Sequence, residues 1–196
     1  MFGEEYTLVA VADYVLSHTP GNTVSNLSST VALRDITEKH GGEYTPSAVG
    51  EVNVVGKMRA VNAVIGGEGN GGVIYPPLHS GRDAMVGIAL FLSHLAKSGL
   101  SCSQLRAQYP SYYMSKNRID LKEGVNPASI LEKVKGHYSS EQINTVDGLR
   151  IDFPGEWVHL RQSNTEPIIR IYSEAKSPER ARQLAQELIS IIQQYL

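Results

Sequence analysis

Cysteine is nearly absent from this chain. Cys102 stands alone, which excludes an internal disulfide and any metal site built on several thiolates. Histidine is sparse and scattered: His18, His40, His79, His94, His137 and His159 fall at no metal-ligand spacing. No excess of one charge exists either. A net charge of -2 sets up no long-range field to draw nucleic acid or an anionic membrane. The longest apolar run, "AMVGIALFL" from Ala84 to Leu92, is too short to span a bilayer. The opening "MFGEEYTLVA" lacks the basic stretch of a secretory signal. Internal repeats and low-complexity tracts are missing as well. With 41% hydrophobic residues over 196 positions, the chain can fill one large core or two small ones. The expected setting is a reducing cytoplasm, with neither nucleic acid nor membrane as partner.

The order of elements points to two domains. "GEEYTLVAVADYVLSHT" reads as a helix with Leu8, Val9, Ala12, Val15 and Leu16 on one stripe and Glu4 and Glu5 at its start. A strand at Thr23 to Leu27 and a helix from about Thr30 to His40 follow. "EYTPSAVG" is strand or loop, and helical spacing resumes at Glu51. Two short apolar strands then flank a glycine-rich turn, and a long apolar helix ends at Gly99. This alternation predicts a layered α/β domain. Beyond Pro110 the order changes. A Tyr-rich strand comes first, then a helix capped by Asn126 with Pro127 in its first turn. Strands around "GLRIDFP", "EWVHLRQ" and "PIIRIYSEA" follow. A closing helix has Ser177 as cap and Ala181, Leu184, Ala185, Leu188, Ile191 and Ile192 on one face. That is an α+β arrangement with one sheet face covered. The expected domains are residues 1–105 and 106–196.

Two clusters carry candidate chemistry. In "GGEGNGG", Gly66 to Gly72, five glycines surround Glu68 and Asn70. Glycine lets the backbone approach a ligand. A carboxylate displayed there accepts hydrogen bonds from adjacent hydroxyls, and Asn70 both donates and accepts. A hairpin tip with a solvated glutamate fits the same residues. The spacing is not that of a dinucleotide-binding G-x-G-x-x-G opening a helix. In "RQSNTEP", Arg161 offers a planar fork of donors suited to phosphate, and Ser163, Asn164 and Thr165 add two hydroxyls and an amide. Their alternative is a turn that satisfies its own backbone. Glu51 is a third candidate, although a glutamate in the first turn of a helix needs no ligand to explain it. His79 and Arg82, in "PPLHSGRDA", either line the same cleft as Glu68 or lie on the surface.

"GGEGNGG", then "GRDA" and a long apolar helix, then "DGLRIDFPGEWVHLRQSNTEPIIRIYSEA" together resemble the carboxyl-terminal half of the α-D-phosphohexomutases. This family includes phosphoglucomutase, phosphomannomutase and phosphoglucosamine mutase. The resemblance covers essentially the whole chain, in order. It implies a three-layer α/β third domain with a mixed sheet. A fourth domain follows, with an antiparallel sheet backed by helices, of the kind found in the TATA-box-binding protein. It also implies that Arg161, Ser163, Asn164 and Thr165 bind a substrate phosphate. Gly67, Glu68 and Gly71 match the family's sugar loop, commonly G-E-x-S-G-H. Asn70 stands where serine is usual and Gly72 where histidine is usual. Glu51 falls where some members carry histidine.

The family's phosphoserine loop and the aspartate cluster that holds magnesium have no counterpart in this sequence. The resemblance therefore implies a substrate-binding half, inactive alone. Its whole protein would use Mg2+ and pass through a hexose bisphosphate, with the missing amino-terminal domains as partner. Glucosamine phosphate is the favoured substrate, ahead of mannose or glucose phosphate. A stand-alone sugar-phosphate binding or regulatory module is the alternative.

Overall fold

The computed structural model describes residues 2–122, 124–163 and 165–196. Two compact units divide between Ser111 and Tyr112. The division falls a few residues beyond the expected 105/106 because the segment after α5 (Cys102–Arg106) is anchored in the first unit. Leu105 and Tyr109 are buried there, the Tyr109 hydroxyl donates to Asp13, and the Tyr6 hydroxyl donates to the Pro110 carbonyl.

The first unit is built on α1 (Glu4–His18), β1 (Asn22–Asn26), α2 (Ala32–Lys39), β2 (Tyr44–Ser47), α3 (Glu51–Ala60), β3 (Ala63–Glu68), β4 (Gly72–Ile74) and α4 (Ala84–Ser98). Its sheet runs β2-β1-β3-β4. The β1–β2 and β1–β3 pairs are parallel and β3–β4 is antiparallel, a mixed sheet. Pro46 lies within β2, which is an edge strand, where a residue without an N–H costs no ladder bond.

Alternation along the strands sends side chains to both faces. Val24, Ala63 and Ile74 meet Val54 and Met58 of α3 on one side. On the other, Thr23 bonds Thr37 of α2, Leu8 of α1 approaches Gly67, and Gly87 of α4 lies against Val73. Helix, sheet, helices make three layers. Helix α1 is buried nearly all round because it sits between the sheet, α2 and α4, so its stripe is wider than a two-sided reading allows. By contrast α4 buries only Gly87, and Met85, Ile88 and Leu92 are exposed.

The second unit carries β5 (Tyr113–Asp120), α6 (Pro127–His137), β6 (Gln142–Asn144), β7 (Leu149–Phe153), β8 (Glu156–Gln162), β9 (Ile168–Ala175) and α7 (Pro178–Gln193). Its five strands run β5-β9-β8-β7-β6, all antiparallel. Leu149, Ile151, Val158, Leu160, Ile169 and Ile171 point to one face and pack with Ile130, Val134, Leu184, Leu188 and Ile192 of α6 and α7. Asn126 and Ser177 cap these two helices through Ala128 N–H and Arg180 N–H. The short β6 has no signal in the sequence: three residues, two of them polar, form a strand only because β7 pairs with them.

The opposite sheet face is polar and partly closed over itself. Trp157 Nε1 donates to Glu174 at 2.7 Å, and the Arg150 guanidinium lies over the indole. His159, between them and Arg161, is buried and its Nε2 donates to the Asp147 carbonyl at 2.6 Å. Burial, reinforced by Arg150 and Arg161, depresses its pKa from 6.5 to about 4.

Between those values the unfolded chain binds the extra proton. Stability from neutral His159 is therefore complete above about pH 6.5 and lost as pH falls towards 4. A loss on the order of 3 kcal/mol is expected across that window. Denaturant unfolding at stepped pH tests it, and a His159→Gln variant should lose this part of the slope. An identical slope in that variant would assign the acid sensitivity elsewhere.

Candidate functional site

The glycine-rich hairpin is held by hydrogen bonds and an ion pair around Glu68. Glu68 ends β3 and is only 5% exposed. One carboxylate oxygen accepts from Asn26 Nδ2 at 2.9 Å and from the Gly50 N–H at 3.3 Å. The other lies 3.0 Å from Arg82 Nη1. Asn26 is delivered by the end of β1, next to β3 in the sheet, and its own Oδ1 accepts from Ser28 N–H and Ser29 Oγ. Ser29 Oγ in turn accepts from the Gly69 N–H. Asn26 escaped the sequence reading. Its only signal there is a polar residue closing a strand.

The turn itself is shaped by small residues. At Gly67 a Cβ would collide with the Gly72 carbonyl across the hairpin, so only glycine lets β3 and β4 approach this closely. Asn70 Oδ1 accepts from the Gly72 N–H at 3.1 Å, and Gly71, at φ +86°, completes the turn by donating to the Glu68 carbonyl. Asn70 therefore spends its acceptor inside the turn.

Glu51 opens α3 and is tied to Arg82 twice: Oε1 accepts the Arg82 backbone N–H at 3.0 Å and Oε2 accepts Arg82 Nε at 2.8 Å. Those bonds hold the Glu51 carboxyl below the usual carboxylate range and raise the Arg82 guanidinium further. The geometry thus links Glu51, Arg82 and Glu68 in one chain of charges. His79 does not join it. Its Nε2 bonds Asp83 at 3.0 Å, and Asp83 caps α4 by accepting from Val86 N–H.

In the second unit Arg161 lies near the end of β8, and Ser163 follows that strand directly. Ser163 N–H donates to the Ile168 carbonyl, and Ser163 Oγ lies 3.5 Å from both the hydroxyl and the N–H of Thr165. The two hydroxyls therefore lie side by side. Asn164 lies outside the described residues. Among the described residues Arg161 has one loose ion pair, 3.9 Å to Asp147. It stands opposite Arg170 in register, and Arg170 in turn stands opposite Arg118. Like charges facing across strands are unfavourable, and each arginine of this row has a carboxylate beside it: Asp147 for Arg161, Glu166 for Arg170 and, at 3.8 Å, Asp120 for Arg118. Arg170 also reaches back to Glu166 in the loop at 3.2 Å.

Among the described residues no group of three or more His, Cys, Asp or Glu side chains is placed to hold a metal ion. No helix among them is long and apolar enough to cross a membrane.

Two carboxylate- and arginine-bearing loops stand out, one on a mixed-sheet α/β unit and one on an antiparallel α+β unit. Residues 3–113 match the family model described as phosphoglucomutase/phosphomannomutase, alpha/beta/alpha domain III. Residues 118–191 match the model of the same family's C-terminal domain. The chain belongs to the phosphoglucomutase/phosphomannomutase family.

A phosphoglucomutase/phosphomannomutase of Thermococcus kodakarensis is 37% identical over 195 residues, covering 97% of this chain and 42% of the relative. A probable phosphoglucosamine mutase of Methanopyrus kandleri is 34% identical over 174 residues, covering 88% and 38%. The chain thus spans about two-fifths of the length of the curated relatives it matches. Among solved structures, a phosphoglucomutase/phosphomannomutase family protein of Burkholderia thailandensis superposes with a TM-score of 0.77 at 23% identity, over 96% of this chain and 42% of that one. An Aspergillus fumigatus N-acetylphosphoglucosamine mutase bound to GlcNAc-6P and magnesium superposes at 0.64 with 14% identity, over 96% and 46%. These likenesses show the shared fold.

Proposed function

We propose that this chain is the substrate-holding carboxyl-terminal half of a phosphohexomutase. The whole protein would move a phosphoryl group between the 1- and 6-positions of a hexose phosphate, through a hexose bisphosphate that turns over in the site. Glucosamine phosphate is the favoured substrate, with mannose and glucose phosphates next. The observation that carries the reading is Glu68. A carboxylate this buried, held by Asn26, Gly50 and Arg82 at a glycine-lined hairpin, is oriented to receive hydroxyl donors rather than to be solvated.

In this reading Glu68, with Gly67, Asn70, Gly71 and Glu51 around it, holds the sugar. Arg161, Ser163, Asn164 and Thr165 hold the phosphate that is not reacting. Their contribution is orientation, not bond-making. The phosphoryl-carrying serine and the magnesium ion belong to the amino-terminal half. The residues described here do not fit a metal site. The exposed apolar residues of α4 agree with a chain that normally has more protein to pack against.

The test is a matched pair of assays with glucosamine 6-phosphate, mannose 6-phosphate and glucose 6-phosphate. The full-length protein should convert at least one of them, and this chain alone none. Turnover by this chain alone would overturn the reading. Tight sugar-phosphate binding by a full-length protein that converts nothing would instead favour a stand-alone binding or regulatory module.

A further inference from the structure

Resting on the hairpin as the sugar site, we propose that Arg82 is a specificity-determining residue of that site, seated in the space left by the absent side chain at Gly72. The argument starts from a glycine without a conformational reason. Gly72 lies in β4 and has no left-handed φ, so its backbone would accept any L-residue. What a side chain there would meet first is Arg82: a Cβ on Gly72 would fall 2.6 Å from Arg82 Cδ and 3.3 Å from Cγ, with Asn70 Oδ1 at 3.1 Å. The stem of Arg82 thus occupies the position that a histidine would fill in the commoner form of this loop.

Backbone contacts fix the arginine there. Arg82 bridges to Ile74, and the next residue, Asp83, donates its N–H to the Val73 carbonyl at 2.9 Å. The segment after β4 is thereby folded back along the strand. The guanidinium turns Nε to Glu51 at 2.8 Å and Nη1 to Glu68 at 3.0 Å. Nη2 has no protein partner among the described residues, and the side chain is 42% exposed. The planar fork therefore presents open donors immediately beside the Glu68 carboxylate.

That combination distinguishes sugar substituents. A hydroxyl can donate to Glu68 while its neighbour's oxygen accepts from Arg82. An ammonium group offers donors only and meets a guanidinium charge a few ångströms away, which opposes it. Arg82 thus lowers the preference for a 2-ammonium sugar relative to a 2-hydroxyl sugar, whichever of them the site favours in total.

The test uses the full-length protein with Arg82→Met, Gly72→Ala and the double substitution. The reading is the ratio of kcat/KM for glucosamine 6-phosphate over glucose 6-phosphate. Arg82→Met should raise that ratio about fivefold. Gly72→Ala should raise it similarly, by pushing the Arg82 stem aside, and the double variant should add little to either. A merely structural arginine would change thermal stability and leave the ratio alone. An unchanged ratio in Arg82→Met, or full additivity in the double variant, overturns the proposal.

A second readout needs no turnover. Carboxyl titration of Glu51 by NMR should move up towards the ordinary range in both single variants. A Glu51 titration unmoved by Gly72→Ala refutes the steric coupling. If the wild-type protein converts no hexose phosphate, the mutase reading fails on its own, and calorimetric Kd values for the two sugar phosphates supply the ratio instead.

Discussion

Replacing Arg161 by alanine in the full-length protein should raise the Michaelis constant for a hexose phosphate about 10- to 150-fold, the equivalent of a lost charge-assisted hydrogen bond of about 1.5–3 kcal/mol. Arg161 sits near the end of β8, its carboxylate neighbour Asp147 is 3.9 Å away, and Arg170 faces it across the β8–β9 pair. A partner that loose neutralises little, so an arriving phosphate supplies what the arginine lacks. Removing the side chain should leave folding nearly intact, because an ion pair as long as 3.9 Å contributes little to stability. Arg161→Lys should recover only part of the affinity, since a point charge cannot reproduce a two-pronged contact. A Michaelis constant and rate both unchanged in Arg161→Ala would remove Arg161 from the phosphate site.

The second large effect is expected at Glu68. Glu68→Ala strips the acceptor from Asn26 Nδ2 and the Gly50 N–H and takes away one of the two carboxylates facing Arg82. Buried donors left without a partner carry their desolvation cost, so a stability loss on the order of 3 kcal/mol should accompany the loss of sugar binding. Glu68→Gln separates the two roles. It keeps the volume and one acceptor oxygen, so most stability should return, while the preference among sugars changes. Denaturant unfolding reads the first and a panel of hexose phosphates the second. A Glu68→Ala chain as stable as wild type would mean that the hydrogen bonds to this carboxylate contribute nothing to the hairpin. A Glu68→Gln enzyme with an unchanged sugar profile would make the carboxylate structural only.

Much of this architecture was legible before any coordinates. Ser177 and Asn126 cap the helices they precede because a short polar side chain reaches the next turn's N–H without help from the rest of the fold. The alternation of Leu149, Ile151, Val158, Leu160, Ile169 and Ile171 is a period-two signal that survives in the folded sheet. The segment "EYTPSAVG" stayed open between strand and loop because a proline inside a strand is acceptable only at an edge, and edge position is a property of the whole sheet. The unit division moved to Ser111 because the anchoring of Tyr109 on Asp13 joins residues far apart in the chain.

The sequence by itself determined most of the elements, the Asn126 and Ser177 caps, the two-unit order and the two loops that carry the polar residues, because each depends on neighbours within a turn or a strand. It did not determine the company those residues keep. Asn26 meets Glu68 only because β1 lies beside β3, 42 positions apart. Arg82 joins Glu51 across 31 positions only because the chain after β4 folds back onto the hairpin. Gly72 read as a missing histidine, and only packing revealed an arginine stem in the space. Long-range placement of charge depends on which strands become neighbours, and that is decided by burial over the whole unit rather than by any local stretch.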